Sequence, residues 1–200
     1  MPDFDDDEYE SFDLEDSRAD SESNEVEDLD SADEYELEDA APDEIDFVIA
    51  AYREDGQPMV QVLAADLAND LDELIIQLRR LPGDAGAIGF VSLVEEIFAI
   101  VRVRGQHVQL LLSDGAAANE WPIARDIADM LGEEVPDPED EEAEPIGDLG
   151  ILSDLGISDF DMGTMIDNLD LSSDQMLAEI ADKIKIGPQF RKASEAAFRA

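Results

Sequence analysis

Carboxylates crowd two segments of this chain, and their distribution restricts any folded core to the remaining residues. Residues 1–44 contain 22 Asp and Glu against one basic residue, Arg18, and a second run from Glu133 to Glu144 has eight carboxylates and no cation. Residues 45–131 hold 14 acids and six arginines among dense apolar runs. The pattern predicts a disordered acidic tail over 1–44, a core domain over 45–131, an acidic linker over 132–146 and a helical C-terminal region over 147–200.

Alternating apolar residues and turn signals predict five strands in the core domain. Ile45–Arg53 and Met59–Leu63 flank the Asp55-Gly56 turn, which is typical of a hairpin. The start of the fourth strand is apolar on both faces, so we expect helices on both sides of the sheet. The last three predicted strands are Ala87–Leu93, Ile97–Arg104 and His107–Leu112.

Helical spacing separates and follows these strands. Leu71, Leu74, Ile75 and Leu78 form one apolar face, and Asn69 or Asp66 is expected to cap that helix. A second helix follows Pro122 and ends at Gly132. The resulting order, β-β-α-β-β-β-α, predicts an α+β fold with a five-stranded antiparallel sheet flanked by helices.

The C-terminal region reads as short helices. Ser158 is expected to cap a helix over Asp159–Leu169, and Ser172 with Gln175 spells a capping box before Met176–Ile186. A last helix is predicted over Phe190–Ala200. Because these helices carry few large apolar groups, we expect them to dock on the sheet domain or on a partner.

The residue inventory argues against catalysis. The chain has no cysteine and a single histidine, His107, which we interpret as a partly exposed strand residue. Asp159, Asp161, Asp167 and Asp170 faintly resemble a calcium loop, but Thr164 replaces the required glycine and the bidentate Glu is absent, so capping explains them better. We therefore predict no catalytic, cofactor-binding or metal-binding residues.

Two groups of basic residues are candidates for a binding role. The arginines of the core domain either pair with nearby acids, which we favour, or form a dock for the tail or linker. The basic residues near the C-terminus are better explained by helix dipoles than by nucleic acid. The first group is Arg79, Arg80, Arg102, Arg104 and Arg125; the second is Lys183, Lys185, Arg191, Lys192 and Arg199.

The N-terminus, Met-Pro-Asp-Phe-Asp, lacks the basic and apolar regions of a signal peptide. The apolar stretches are shorter than the roughly 20 residues of a membrane-spanning helix. A net charge of −42 is repelled by phosphate backbones and anionic lipid. We expect a soluble cytoplasmic protein that binds neither membranes nor nucleic acid directly.

Several stretches resemble the actinobacterial tRNA adenosine deaminase-associated protein family. They are FVIAAYREDGQPMVQVL, FAIVRVRGQHVQLLLSDGAAANEWPIARDI, EEVPDPEDEEAEPIGD and ILSDLGIS, and the resemblance covers about residues 45–190. The resemblance implies an association with the deaminase, beside which the family is encoded. The deaminase needs a His/Cys/Cys zinc site, and this chain lacks those ligands, so it could only be an accessory.

Two hypotheses follow. In the first, the chain is a non-catalytic accessory or regulatory protein that binds a basic partner, the tRNA adenosine deaminase being the candidate. In the second, it is an acidic solubility or chaperone-like protein with no role in tRNA editing. The acidic tail fits both, either as a solubilising segment or as one whose Phe, Tyr and Leu residues anchor to a basic groove. The oligomeric state and the binding face stay open.

Overall fold

An antiparallel sheet organises the computed structural model, which describes residues 37–83, 86–137 and 144–199. The strand order within these residues is β2-β1-β3-β4-β5-β6. The predicted α+β class with an antiparallel sheet is confirmed. The strands are β1 (Ile45–Glu54), β2 (Gln57–Val62), β3 (Ala87–Leu93), β4 (Ile97–Arg104), β5 (His107–Leu112) and β6 (Ile146–Gly147).

The sixth strand was not predicted, because two residues are too few to display a period. β6 lies where the acidic linker was expected to join the helical region. It extends the sheet by pairing Gly147 with Leu111 and Ile146 with Leu112 of β5.

Helices cover both faces of the sheet, as predicted. Along β4, Ala99 and Val101 pack on one face, whereas Phe98 and Ile100 pack on the other. The first two helices, α1 (Leu71–Arg80) and α2 (Pro122–Leu131), cover the Ala99 face. The last three cover the Phe98 face: α3 (Asp159–Ile166), α4 (Ser173–Lys183) and α5 (Gly187–Ala197). Short 3₁₀ helices lie at Ala65–Asn69, Gly115–Asn119 and Ser153–Leu155.

The cap of α1 differs from the prediction. Asp70 is the capping residue, and its carboxylate accepts a hydrogen bond from the backbone N–H of Glu73 at 2.8 Å. Asn69 is occupied elsewhere: its side chain accepts from the N–H of Ala40 (2.8 Å) and donates to the Ala40 carbonyl (3.1 Å). Ala40 is thereby held in a buried position. The rest of the predicted tail, residues 1–36, and residues 138–143 of the predicted linker lie outside the described residues.

The predicted cap of α3 is confirmed, whereas the predicted cap of α4 is wrong. Ser158 and Asp161 form a full capping box at the start of α3, although that helix ends at Ile166 rather than Leu169. The capping box predicted for Ser172 and Gln175 is wrong. The Ser172 hydroxyl donates to the Asp174 carboxylate instead and makes no side-chain cap to α4.

Candidate protein-binding groove

One end of the sheet carries a groove of about 670 Å³, which we call the acidic groove. Five carboxylates and four apolar side chains line it, with no lysine or arginine among its lining residues. Its volume lies within the range of about 300–1,000 Å³ that is usual for ligand sites. The carboxylates belong to Glu95, Glu96, Asp114, Asp167 and Asp170, and the apolar side chains to Ile166, Leu169, Leu171 and Met176.

Three loops meet at this groove, and the strand directions account for two of them. β3 ends, β4 begins and β5 ends at the same end of an antiparallel sheet, which brings the β3–β4 turn beside Asp114. The loop between α3 and α4 supplies Asp167 and Asp170 from the layer that covers the Phe98 face. The groove therefore combines residues that are about 75 positions apart in the chain.

The β3–β4 turn is held in a strained conformation by surrounding hydrogen bonds. Val94 and Glu95 have positive φ angles of 47° and 58°, and this region is costly for a β-branched residue. The Asp46 carboxylate accepts from the Glu95 N–H and the Ser92 hydroxyl, both at 2.8 Å. The Glu95 carbonyl accepts from the N–H of Ser173 at 2.9 Å. Through these bonds, the turn and the start of α4 fix one wall of the groove.

Both acidic segments of the chain join the fold beside this groove. The Glu44 carbonyl accepts from the N–H of Val94, and the Glu144 carbonyl accepts from the N–H of Gly115, each at 2.8 Å. Val94 and Gly115 are the immediate chain neighbours of the groove residues Glu95 and Asp114. Negative charge is therefore concentrated at this end of the described fold.

Leu169 gives the groove an apolar contact point. Its side chain is 94% exposed, between the exposed carboxylates of Asp167 and Asp170. An exposed leucine among acids offers a surface suited to a partner segment that alternates cations with aliphatic residues.

The four aspartates of the calcium-like pattern lie in two separate places, the first turn of α3 and the acidic groove. Asp161 accepts from the Ser158 hydroxyl and N–H, and the Ser158 hydrogen bonds hold its pKa below the usual value. Asp167 and Asp170 face the acidic groove, and Asp159 opens α3. Among the residues that the structure describes, no group of three or more His, Cys, Asp or Glu side chains is arranged to hold a metal ion.

His107 and the arginines lie away from the groove. His107 is exposed at the start of β5, opposite Arg104 of β4 and at the other end of the sheet. Arg102 is buried and donates to the Asp154 carboxylate, while Arg104 lies 3.7 Å from the same carboxylate. Hydrogen bonds from Arg102 lower the pKa of Asp154 below its usual value. Local pairing, the interpretation favoured from the sequence, describes these two arginines.

Two of the five C-terminal cations, Arg191 and Arg199, also have local partners. Arg191 donates to both oxygens of the Asp182 carboxylate, at 2.9 and 2.8 Å, and Arg199 lies 3.9 Å from Glu195. On the other side of the sheet, Arg125 donates through Nε to the Ala118 carbonyl at 3.0 Å. These contacts reduce the number of cations that are free to meet an external anion.

Sequence reasoning did not find the acidic groove. The Glu95-Glu96 and Ser113-Asp114 pairs follow predicted strands, and the alternating strand directions would have put them at one end of the sheet. The contribution of Asp167 and Asp170 depends on how α3 and α4 dock, which no local pattern reveals. In the parts of the chain that are described, no helix has the length and apolarity needed to cross a bilayer.

The fold is a mixed α+β architecture built on an open antiparallel sheet, and the acidic groove lies at one end of that sheet. Residues 46–187 match the family described as Rv3753c-like tRNA adenosine deaminase-associated protein, and the chain belongs to that family. It is 35% identical over 146 residues to Protein Rv3753c of Mycobacterium tuberculosis (strain ATCC 25618 / H37Rv), covering 72% of this chain and 84% of that protein. No solved structure matches. The resemblance noted from the sequence is thereby confirmed.

Proposed function

We propose that this protein is a non-catalytic accessory protein that binds a basic surface of a tRNA adenosine deaminase through the acidic groove. The family description supports the association with a deaminase. The observation that carries the mode of binding is the groove itself, in which five carboxylates surround apolar side chains. The site of action is the cytoplasm.

Charge and apolar contact have separate roles in this proposal. A net charge of −42 accelerates encounter with a cationic surface, and this contribution weakens with salt because exposed charges are screened beyond about 8–10 Å. Leu169 and the apolar lining of the groove supply the part of the affinity that resists salt. A deaminase that grips tRNA presents cations to phosphates, so the groove and tRNA compete for overlapping surfaces.

A binding measurement with matched variants tests the proposal. The full chain is titrated into the tRNA adenosine deaminase of the same organism, at two salt concentrations. Asp167→Asn with Asp170→Asn should weaken binding about 2- to 30-fold, because each exposed ion pair contributes about 0.2–1 kcal/mol. Glu54→Gln with Asp55→Asn is the control, since it removes the same charge from exposed residues of the β1–β2 turn.

Three outcomes separate the hypotheses. A larger effect of the groove pair than of the control pair supports the acidic groove as the binding site. Equal effects would mean that total charge alone drives association, and the groove assignment would be wrong. No binding by the unaltered chain would favour the second candidate, an acidic solubility or chaperone-like protein, for which the charge of −42 is the supporting observation.

Two further measurements address mechanism. Removing residues 1–36 should weaken binding chiefly at low salt if the acidic tail adds to the encounter. Addition of tRNA should displace the protein from the deaminase. The chain alone is expected to form no inosine in a tRNA substrate, since it lacks the His/Cys/Cys ligand set.

A further inference from the structure

One long edge of the sheet has no neighbouring strand among the described residues. The two outermost strands are β2, which has six residues, and β6, which has two. Within the described residues, β2 pairs with β1 alone, from Gln57 opposite Glu54 to Val62 opposite Ile49. An open edge presents unpaired backbone groups and can accept a further strand. We call the outer side of β2, together with the adjoining residues 63–65, the β2 edge.

The hydrogen-bond pattern identifies the backbone groups of β2 that point outward. The N–H of Leu63 donates to the Val48 carbonyl at 2.8 Å, one position beyond the last paired residue of β2. Bonded and non-bonded positions alternate along an antiparallel pair, so Val62, Val60 and Pro58 direct their backbone groups away from β1. Among the described residues, no hydrogen bond satisfies the outward N–H groups of Val60 and Val62. The β2 edge therefore offers two free donors and the neighbouring carbonyls.

The β2 edge carries no charge, although the net charge of the chain is −42. Residues 57–65 contain no Asp, Glu, Lys, Arg or His, whereas edge strands usually carry charges that prevent pairing. Met59 and Val62 are each 40% exposed. A basic partner would find no carboxylate here, and a charged strand would lose water without gaining an ion pair. The edge therefore favours a neutral, partly apolar strand.

A second copy of β2 meets this requirement and can pair its backbone fully. With a two-fold axis at Gln61 and antiparallel strands, Val60 of one copy lies opposite Val62 of the other. Each such pair exchanges two N–H···O bonds, so all outward groups of these two valines are satisfied. An axis at Val60 would instead place Val62 opposite Pro58, which has no N–H, and would leave the Val62 carbonyl without a donor.

The register centred on Gln61 also covers the exposed apolar side chains. It places Met59 of one copy opposite Leu63 of the other, on the same face as the two Gln61 side chains. On the opposite face, each Val62 lies against Val60 of the other copy. Cβ atoms of directly opposed residues are about 4.5–5.5 Å apart, which is contact distance for these side chains.

We propose that two copies of this chain associate through the β2 edge into a two-fold symmetric dimer with one continuous antiparallel sheet. The interface is isologous, as in most homodimers. The lining of the acidic groove includes no residue of β2, so each copy keeps its groove. The dimer and the proposed binding to the deaminase are therefore independent of each other.

Salt should act on this dimer in the opposite direction to its action on deaminase binding. Two chains of charge −42 repel each other, and salt screens that repulsion because the Debye length is only about 8–10 Å near physiological ionic strength. The backbone bonds and apolar contacts of an uncharged edge are not screened. The dissociation constant of the dimer should therefore fall as salt is added.

Sedimentation equilibrium of the full chain, from about 1 μM to 1 mM at low and high salt, measures self-association. The mass should rise from monomer to dimer with concentration, and at lower concentration in high salt. A monomer mass under all these conditions would overturn the proposal. So would a dimer that dissociates at high salt, because ionic contacts would then hold it together.

Amide hydrogen exchange, read by NMR on the full ¹⁵N-labelled chain above and below the dissociation constant, locates the interface. The N–H groups of Val60 and Val62 should be protected about tenfold or more in the dimer only. Those of Met59 and Gln61 point towards β1 and should be protected in both states. Protection of Val60 and Val62 in the monomer would mean that another segment of the chain covers the edge, and would refute the assignment.

Charge variants at Gln61 test the register. Gln61→Glu and Gln61→Lys each place like charges opposite each other and should weaken self-association, whereas a mixture of the two should form heterodimers. Native mass spectrometry, with one variant ¹⁵N-labelled, should show heterodimers favoured about 2- to 30-fold over the statistical ratio. Gln106→Glu, in the exposed β4–β5 turn, has the same charge change and should leave the dimer intact. Equal effects of Gln61→Glu and Gln106→Glu, or a statistical mixture, would refute the β2 edge as the interface.

Discussion

Replacing Phe190 by alanine should remove a large part of the stability of the fold, although Phe190 lies outside the family match that ends at residue 187. The Phe190 side chain is fully buried and belongs to α5. Its ring makes edge-to-face contacts with Phe47 of β1 at 5.6 Å and with Phe90 of β3 at 5.4 Å between ring centroids. The prediction therefore tests whether α5 is an integral layer of the fold.

The magnitude follows from burial and ring geometry. Truncation of a buried phenylalanine to alanine usually costs about 3–5 kcal/mol. Each edge-to-face pair adds about 0.5–1.5 kcal/mol beyond burial, and Phe190 makes two, which favours the upper part of that range. We expect a loss of about 4–5 kcal/mol in the free energy of unfolding. For a chain of this size, the midpoint temperature should fall by about 8–20 °C.

Urea unfolding of the full chain, followed by circular dichroism at neutral pH and fixed salt, measures this loss. Phe160→Ala is the matched control, because Phe160 is 80% exposed in α3 and its truncation should change stability by no more than about 0.5 kcal/mol. If Phe190→Ala and Phe160→Ala have equally small effects, α5 does not pack as described and the reasoning fails.

Three further predictions concern charge and chain ends. Asp154→Asn should lower stability by about 1–2 kcal/mol at pH 7, since the half-exposed carboxylate accepts hydrogen bonds from buried Arg102. The pKa of Asp154 is lower in the folded state than in the unfolded state, so the ionised carboxylate contributes its full stabilisation above the unfolded-state pKa. This stabilisation is lost as the pH falls through the folded-state pKa. A difference in stability between Asp154→Asn and the unaltered chain that persisted below that pH would contradict the prediction. Asp126→Asn should raise stability at pH 7 by about 0.2–0.5 kcal/mol, because the ionised Asp126 carboxylate is unfavourable in the folded state. Its pKa is raised mainly by burial and also by repulsion from Asp70, Asp72 and Asp129. That gain should vanish below the ordinary aspartate pKa of about 3.9, where the protonated carboxyl carries no penalty, and urea titrations across pH measure it. Limited proteolysis should cut before Ala40, which Asn69 holds in place, and equal protection of residues 1–36 would contradict the predicted acidic tail.

Local periodicity determined most of the secondary structure. The three strands from Ala87 to Leu112 have the predicted bounds, because each is a run of apolar residues between clear turn signals. The apolar face of α1 was equally readable, since Leu71, Leu74, Ile75 and Leu78 are all buried. The prediction that helices cover both faces followed from β4 alone, whose residues are apolar on each side.

Capping was less predictable, because one polar side chain has several available partners. Asn69 and Asp70 are adjacent, and either could cap α1 by type and position. The tie between Asn69 and the backbone of Ala40, 29 residues earlier, leaves the cap to Asp70. Ser172 similarly donates to Asp174, although its spacing to Gln175 is that of a capping box.

By itself, the sequence determined the first five strands, most of the helices, the concentration of carboxylates and the lack of cysteine, because these depend on residues near one another or on composition. Only the tertiary structure decided where charge and apolar surface converge. The acidic groove requires the α3–α4 loop to dock beside the β3–β4 turn, and the ion pair of the buried Arg102 requires Asp154 to reach an arginine 52 residues earlier. Such contacts depend on strand order and helix docking, which arise from the burial of whole faces and leave no signal in local spacing.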